Sequence, residues 1–294
     1  MRYRCYAKIN LTLEILGKRP DGFHELASVV HTISLADDLH VELADTLRTH
    51  VEGQDIPPEI NLVARAATLA STSLDEHRGA ELRLIKRIPS AAGLGGGSSD
   101  AAATLVALNR LWGRRLSTTA LCQLAARLGS DVPFFLRGGA ALMRGRGDDL
   151  ESLPPLANQW LVLLAPHHLL DDKTRRLYAA LDPRDFTTGD MTLRAAERLR
   201  HSAALNEREL VNGFERAARK VFPGLDELWR TAERISHQRF HLSGAGPALF
   251  TLAANHAETQ HLAARLDHLP AQVFAVRTVR HARASLRRSA IEYA

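Results

Sequence analysis

A chain of 294 residues and 32.4 kDa is long enough for one large domain or two of ordinary size, with a packed core. Its 45% hydrophobic and 24% charged residues exclude disordered, collagen-like and disulfide-scaffold classes. Lys and Arg number 38 against 33 Asp and Glu, a net charge of +5 that suits an anionic small molecule as well as nucleic acid. Aromatics, at 5%, do not interleave with the basic residues, which argues against a base-stacking surface and a nucleic-acid partner. Cys5 and Cys122 form no spaced metal motif and point to a reducing compartment. No signal-peptide pattern follows Arg2, Arg4 and Lys8, and the most apolar stretch, 160–165, is too short to span a bilayer. The expected location is the cytoplasm, with no membrane partner.

Residues 3–16 alternate, with Ala7, Ile9, Leu11, Leu13 and Ile15 on one face and Lys8, Asn10, Thr12 and Glu14 on the other, predicting one strand that sets Lys8 beside Asn10. Arg19-Pro20-Asp21-Gly22 is a turn signal, and 26–35 and 39–43 read as two further strands. A helix is predicted over 60–74 and a strand over 82–88, stopped by Pro89. A glycine-rich loop then leads into a helix over 98–112, and a second helix runs from about Ser117 to Gly129. Leu153-Pro154-Pro155 is the best boundary between two halves, 1–153 and 154–294. Beyond it come a strand at 160–164, two or three helices between 174 and 237, a strand–loop–strand over 240–252, a helix over 257–266 and an edge strand. Helices and strands do not alternate regularly, which gives an α+β class in two halves.

The strongest chemical signal is Pro89-Ser90-Ala91-Ala92-Gly93-Leu94-Gly95-Gly96-Gly97-Ser98-Ser99. Four glycines in five positions can press backbone N–H groups against an anion, and the helix that follows adds unpaired N–H groups and its dipole. No Lys-Ser/Thr follows the glycines and Gly-x-Gly-x-x-Gly cannot be placed on them, so neither a Walker A loop nor a dinucleotide fingerprint is present. A flexible surface loop is the plain alternative. Asp131, after a helix stop and before Val132-Pro133, could be a general base, though alone such a residue is more often a turn or capping residue. Lys8 alone reads as a solvated or snorkelling lysine. Leu242-Ser243-Gly244-Ala245-Gly246-Pro247 alone reads as a hairpin. The 14 histidines include no pair at metal-ligand spacing, so no protein-held metal is expected. His167-His168, Asp171-Asp172 beside Lys173, Arg175-Arg176 and the basic tail 277–288 read as solvated surface.

Together these segments resemble the GHMP kinases, with Ala7-Lys8-Ile9-Asn10-Leu11, the glycine loop and the 242–247 turn in the order of that superfamily's three motifs. Lys18-Arg19-Pro20-Asp21-Gly22-Phe23-His24-Glu25-Leu26 and Leu128-Gly129-Ser130-Asp131-Val132-Pro133 resemble the 4-diphosphocytidyl-2-C-methyl-D-erythritol kinases within it. The resemblance implies an N-terminal nucleotide-binding domain and a C-terminal α/β-sandwich domain with the active site between them. It implies ATP and Mg²⁺, and phosphorylation of a hydroxyl, at position 2, of a cytidine diphosphate-linked methylerythritol. ATP would be held by residues 89–99, with Asn61 and Lys86 beside the adenine. Asp131 would accept the hydroxyl proton, Lys8 would stabilise the transferring phosphoryl group, and Asn10 would orient the acceptor. Phe23 and His24 would hold the cytosine, Phe23 standing where a tyrosine is usual. Tyr178 would supply a second aromatic wall, Thr174 a substrate contact, and Gly244 and Gly246 the far side of the substrate. Gly213, in Val211-Asn212-Gly213-Phe214-Glu215, replaces an acidic residue often seen there. The alternatives are a GHMP-type kinase of homoserine or a mevalonate-like alcohol, and a non-catalytic nucleotide-binding protein. The oligomeric state is left open.

Overall fold

A computed structural model describes residues 1–280 apart from 157, 168, 169, 171 and 206, and the backbone but not the side chain of Pro58. His168, Asp171 and the basic tail from residue 281 onward therefore lie outside the described residues.

The first sheet is built from seven strands: β1 (Arg2–Asn10), β2 (Glu14–Lys18), β3 (His24–Ala44), β4 (Leu47–Glu52), β5 (Gly79–Ile85), β6 (Ala140–Gly145) and β7 (Asp149–Leu153). Its order is β4-β5-β3-β6-β7, with β1 and β2 also pairing with β3. The strand expected over 3–16 is thus two strands. The amides of Leu11 and Thr12 both turn to the Val29 carbonyl, at 2.8 and 3.3 Å, which breaks the ladder where β1 ends. Conversely, the two strands expected over 26–43 are one strand of 21 residues. Asp37 and Asp38 resemble an interruption in sequence, but both are buried inside β3, where basic side chains and backbone N–H groups bind them.

Four helices belong to this half: α1 (Leu62–Leu74), α2 (Gly96–Leu111), α3 (Thr118–Ala126) and α4 (Val132–Arg137). α2 packs on α1, β1 and β3. Ala101, Ala102, Ala103 and Ala107 are fully buried and let the backbones approach closely. The short α4 begins at a proline-containing turn and, like β4, β6 and β7, has no strong signal in sequence.

The second sheet is β11-β8-β10-β9, all antiparallel: β8 (Trp160–Pro166), β9 (His241–Leu242), β10 (Leu249–Ala253) and β11 (Ala271–Arg277). Between β8 and β9 the described residues form four α-helices, one more than the upper expectation: α5 (Lys173–Ala179), α6 (Asp190–Arg200), α7 (Glu215–Val221) and α8 (Leu225–Ser236); α9 (His256–Leu266) follows β10.

The alternation of β8 shows how the halves join. Val162 and Leu164 pack among the helical side chains Trp229, Leu262 and Leu266, whereas Leu161 and Leu163 pack against Ile9, Val29 and Ile33 of the first sheet. Both faces are buried, so the segment reads as an uninterrupted apolar run. No helix among the described residues is long and apolar enough to cross a membrane.

Candidate active site

Residues 86–95 connect β5 to α2. Gln54 fastens the base of this loop: its side-chain oxygen accepts from the backbone N–H and hydroxyl of Ser90, and its amide donates to the Ile88 carbonyl at 2.9 Å. Gly93 and Gly95 have φ values of +87° and +69°, a region open to glycine at little cost. Gly96 and Gly97 are already helical. Gly95 is the N-cap of α2 and supplies no side-chain capping bond; the first intrahelical bond is Ser99 N–H to the Gly95 carbonyl, at 2.9 Å. The N–H groups of Gly96, Gly97 and Ser98 thus have no partner within the helix. They open on a cleft of about 400 Å³ lined by the whole of 89–98 and by Lys8, Asn61, Lys86, Asp131 and Thr174. Ser98 faces this cleft; Ser99 is buried beside it.

Lys8 lies at the end of β1, and its backbone N–H binds the Leu94 carbonyl at 2.9 Å, tying the strand to the glycine loop. Its side chain is not solvated. The side chain is 7% exposed, and its ammonium donates to Asn10 Oδ1 at 2.6 Å and stands 3.7 Å from Asp131 Oδ2. Asn10 in turn donates to Ser28 Oγ at 2.7 Å, and Ser28 to the Thr12 carbonyl at 2.5 Å. Both polar ends of Asn10 are therefore engaged in holding Lys8. Burial lowers the Lys8 pKa, and the Asp131 carboxylate opposes that shift. Asp131 occupies the N-cap position of α4, yet its side chain makes no capping bond and is 37% exposed. That leaves a carboxylate facing the cleft beside a buried ammonium.

Lys86 lines the cleft, but its ammonium is 2% exposed and committed elsewhere, to Asp37 Oδ2 at 2.5 Å and Asp100 Oδ2 at 2.9 Å. Asp37 also accepts the backbone N–H groups of Arg87 and Ile88, at 2.5 and 2.8 Å. Burial pushes the Asp100 carboxyl upward against the pull of Lys86. This buried triad braces the base of the loop. Asn61 likewise lines the cleft while its side-chain oxygen caps α1, accepting from Val63 N at 2.9 Å.

The turn between β9 and β10 closes the far wall. Asn212 Nδ2 binds the Leu242 and Gly244 carbonyls, each at 2.9 Å. Gly244 sits over the end of β1: a Cβ there would stand 3.0 Å from both Asn10 Oδ1 and Lys8 Nζ. Ala248 N–H binds the Ala92 carbonyl at 3.0 Å, and Ser243 Oγ the Gly93 carbonyl at 3.3 Å.

One helical turn from Thr174 on α5 is Tyr178, on the same face. Its ring stacks on His24 at 4.5 Å and meets Phe214 edge-on at 4.9 Å, while Phe186 lies 6.1 Å from His24. Burial lowers the His24 pKa and raises that of Tyr178. This aromatic group gathers side chains from both halves of the chain. Phe23 does not join it. The ring is half exposed, with the Arg146 guanidinium 3.5 Å over its face.

Residues 61–139 match the family described as GHMP kinases N terminal domain. A 4-diphosphocytidyl-2-C-methyl-D-erythritol kinase of Pelotomaculum thermopropionicum is 42% identical over 279 residues, covering 92% of this chain and 96% of that protein. The chain belongs to this kinase family. The kinase of the same name from Dehalococcoides mccartyi strain BAV1 is 42% identical over 250 residues, 84% of this chain and 87% of its own. A crystal structure of 4-(cytidine 5'-diphospho)-2C-methyl-D-erythritol kinase superposes with a TM-score of 0.81 at 36% identity, covering 95% of this chain and 99% of that one.

In this member of the kinase family, Lys8, Asp131, the 89–98 loop and Thr174 come together around the cleft, with Asn10 buried behind Lys8 and Gly244 and Gly246 in the turn behind it. His24 and Tyr178 meet in the adjoining aromatic group, and Phe23 stands apart from it. Ser28, Asn212, Phe186 and Lys173 were not singled out for a role in sequence. Their partners are remote in the chain, and none carries a local motif.

Proposed function

We propose that the protein transfers the γ-phosphoryl group of ATP to the position-2 hydroxyl of 4-diphosphocytidyl-2-C-methyl-D-erythritol. The observation that carries this reading is the placement of the Lys8–Asp131 pair, 3.7 Å apart, in the same cleft as the uncapped start of α2. Membership of the kinase family supports the choice of acceptor. The N–H groups of 96–98 hold the nucleotide phosphates. Asp131 takes the proton from the acceptor hydroxyl as its oxygen bonds to the γ-phosphorus and the bridging oxygen leaves on ADP. Lys8, fixed by Asn10 and Ser28, offsets negative charge on the transferring group.

The cleft holds a hydroxyl, Ser98, and no cluster of three acidic, His or Cys side chains among the described residues. That sparse donor set fits Mg²⁺ brought in on the nucleotide: Ser98 would hold it in the cleft, where it would supply positive charge against the phosphates. The His24 and Tyr178 rings lie stacked 4.5 Å apart, so a flat pyrimidine ring would stack on the outside of the pair or part the two rings on binding. Gly213 leaves no room for an acidic side chain without pressure on Ile15, whose Cγ1 would stand 3.2 Å from an added Cβ.

ADP release from ATP and Mg²⁺ with this acceptor tests the reading, with homoserine and mevalonate in parallel. Turnover is expected with the cytidyl acceptor alone. Asp131→Asn should lower kcat by about 100-fold or more while leaving the ATP Kd within a few-fold of wild type. Turnover only with another alcohol would overturn the acceptor, and an undiminished kcat in Asp131→Asn would remove that carboxylate from the mechanism.

A further inference from the structure

Lys173 opens α5, in a segment that reads from sequence as solvated loop. In the structure its ammonium is tied to two carbonyls of different origin: Ala91, in the glycine loop of the first half, and Gly246, at 2.5 Å, in the β9–β10 turn of the second. These acceptors are 82 and 73 residues away in the chain. Neither neutralises the charge. Ala91 itself holds φ at +53°, a conformation that a residue with a Cβ keeps only where its surroundings impose it. The side chain lines the same cleft as Lys8 and Asp131.

We propose that Lys173 is a positioning residue of the transfer reaction, its ammonium locking the glycine loop to the β9–β10 turn and so fixing the backbone N–H groups that receive the nucleotide phosphates. This rests on the reading of the cleft as the ATP site. The contact works only while the lysine is protonated, because a neutral amine makes a weaker bond to each carbonyl. Burial, followed by the nearby Lys8 charge, brings the Lys173 pKa down to about 8, with Asp131 pulling the other way. Lys8 of β1 and Asp131 before α4 are the charged groups that face it. On its own side Asp172 and Arg175 pair with each other at 2.5 Å, and Tyr178 titrates above the ordinary tyrosine value. The clamp is therefore expected to loosen as pH rises through about 8.

Lys173→Met and Lys173→Arg test this, with ATP Kd measured by calorimetry without acceptor, and kcat and KM measured across pH 6–10. Lys173→Met should weaken ATP binding about tenfold or more, the effect of losing two charge-assisted hydrogen bonds, with a parallel rise in KM for ATP. Lys173→Arg, which keeps a charged donor, should recover most of it. Wild-type kcat/KM for ATP should fall above about pH 8, and that limb should be absent in Lys173→Arg. Wild-type ATP affinity in Lys173→Met overturns the proposal, as does an unchanged alkaline limb in Lys173→Arg. If wild type fails to phosphorylate the cytidyl acceptor while Lys173→Met still weakens ATP binding, the function assigned above falls and the clamp stands.

Discussion

Gly93→Ala is the sharpest test of how the two halves meet at the cleft. Gly93 has φ +87°, and a Cβ built there would stand 2.4 Å from the Ser243 carbonyl oxygen and 3.0 Å from Gly246 N. Both obstacles are backbone, so no side chain can swing aside. The left-handed conformation alone costs an alanine about 1–2 kcal/mol. Relief requires the loop and the β9–β10 turn to separate, which strains the bonds from Ser243 Oγ to the Gly93 carbonyl and from Ala248 N–H to the Ala92 carbonyl. Each of those is worth about 1 kcal/mol net, so the total lies near 2–4 kcal/mol. Felt on the phosphate-binding conformation, this raises the ATP Kd by roughly 30-fold or more. Felt on the fold as a whole, it lowers Tm by roughly 5–10 °C. Gly97→Ala is the control: its φ is helical, and the nearest atom to its Cβ is the movable Leu62 Cδ1 at 3.3 Å. Calorimetric titration with ATP and thermal melts of both variants read the two effects together. A Gly93→Ala protein with wild-type Kd and Tm, or one no worse than Gly97→Ala, would refute the reasoning.

Two further perturbations probe buried charge. Lys86→Met should destabilise the fold by about 3–5 kcal/mol, because it strands the Asp37 and Asp100 carboxyls without their cation. Asp100, whose carboxyl burial already pushes upward, would lose the opposing pull of Lys86, a penalty present at high pH and relieved as it takes up a proton. Urea unfolding should accordingly show a larger deficit at pH 8 than at pH 5, and a pH-independent deficit would sink this account. His31 is buried, with Nδ1 against the Thr32 carbonyl and Nε2 accepting from Leu156 N–H at 2.9 Å, and burial brings its pKa down to about 4. A base held neutral in the folded state stabilises fully above its unfolded pKa and loses that contribution as pH falls. About 3 kcal/mol should disappear between roughly pH 6.5 and 4. His31→Gln should flatten the slope of stability against pH across that window, and an identical slope would assign the acid sensitivity to other groups.

What could be read in the sequence was what the backbone itself demands. The glycine loop was legible because closely spaced glycines followed by a helix start allow the positive φ values and the uncapped N–H groups that an anion cradle would need. Even there, the position most exposed to substitution was not legible. Gly96, central in the motif, is helical and limited by Ile88 Cγ2 at 2.9 Å, whereas the positive φ values fall on Gly93 and Gly95. Charged residues with distant partners were read as solvated, or not singled out, for a consistent physical reason. A lone lysine or aspartate is taken as solvated unless its partner is visible, and the partners here are distant. Asp37 meets Lys86 across 49 residues, and Lys173 meets Gly246 across 73. Lys8 is the instructive intermediate. Its strand face was predicted correctly, but that face is covered by the loop, by Gly244 and by the start of α4, so the polar side of β1 is an interior surface. The burial that sequence could not show is also what lowers the Lys8 pKa and separates it from water. The two halves of the chain thus do more than flank a cleft. By packing the β9–β10 turn over Lys8 and Asn10, the second half converts an ordinary strand lysine into a fixed charge beside Asp131, and catalysis should be lost whenever that packing is loosened, even with every cleft residue intact.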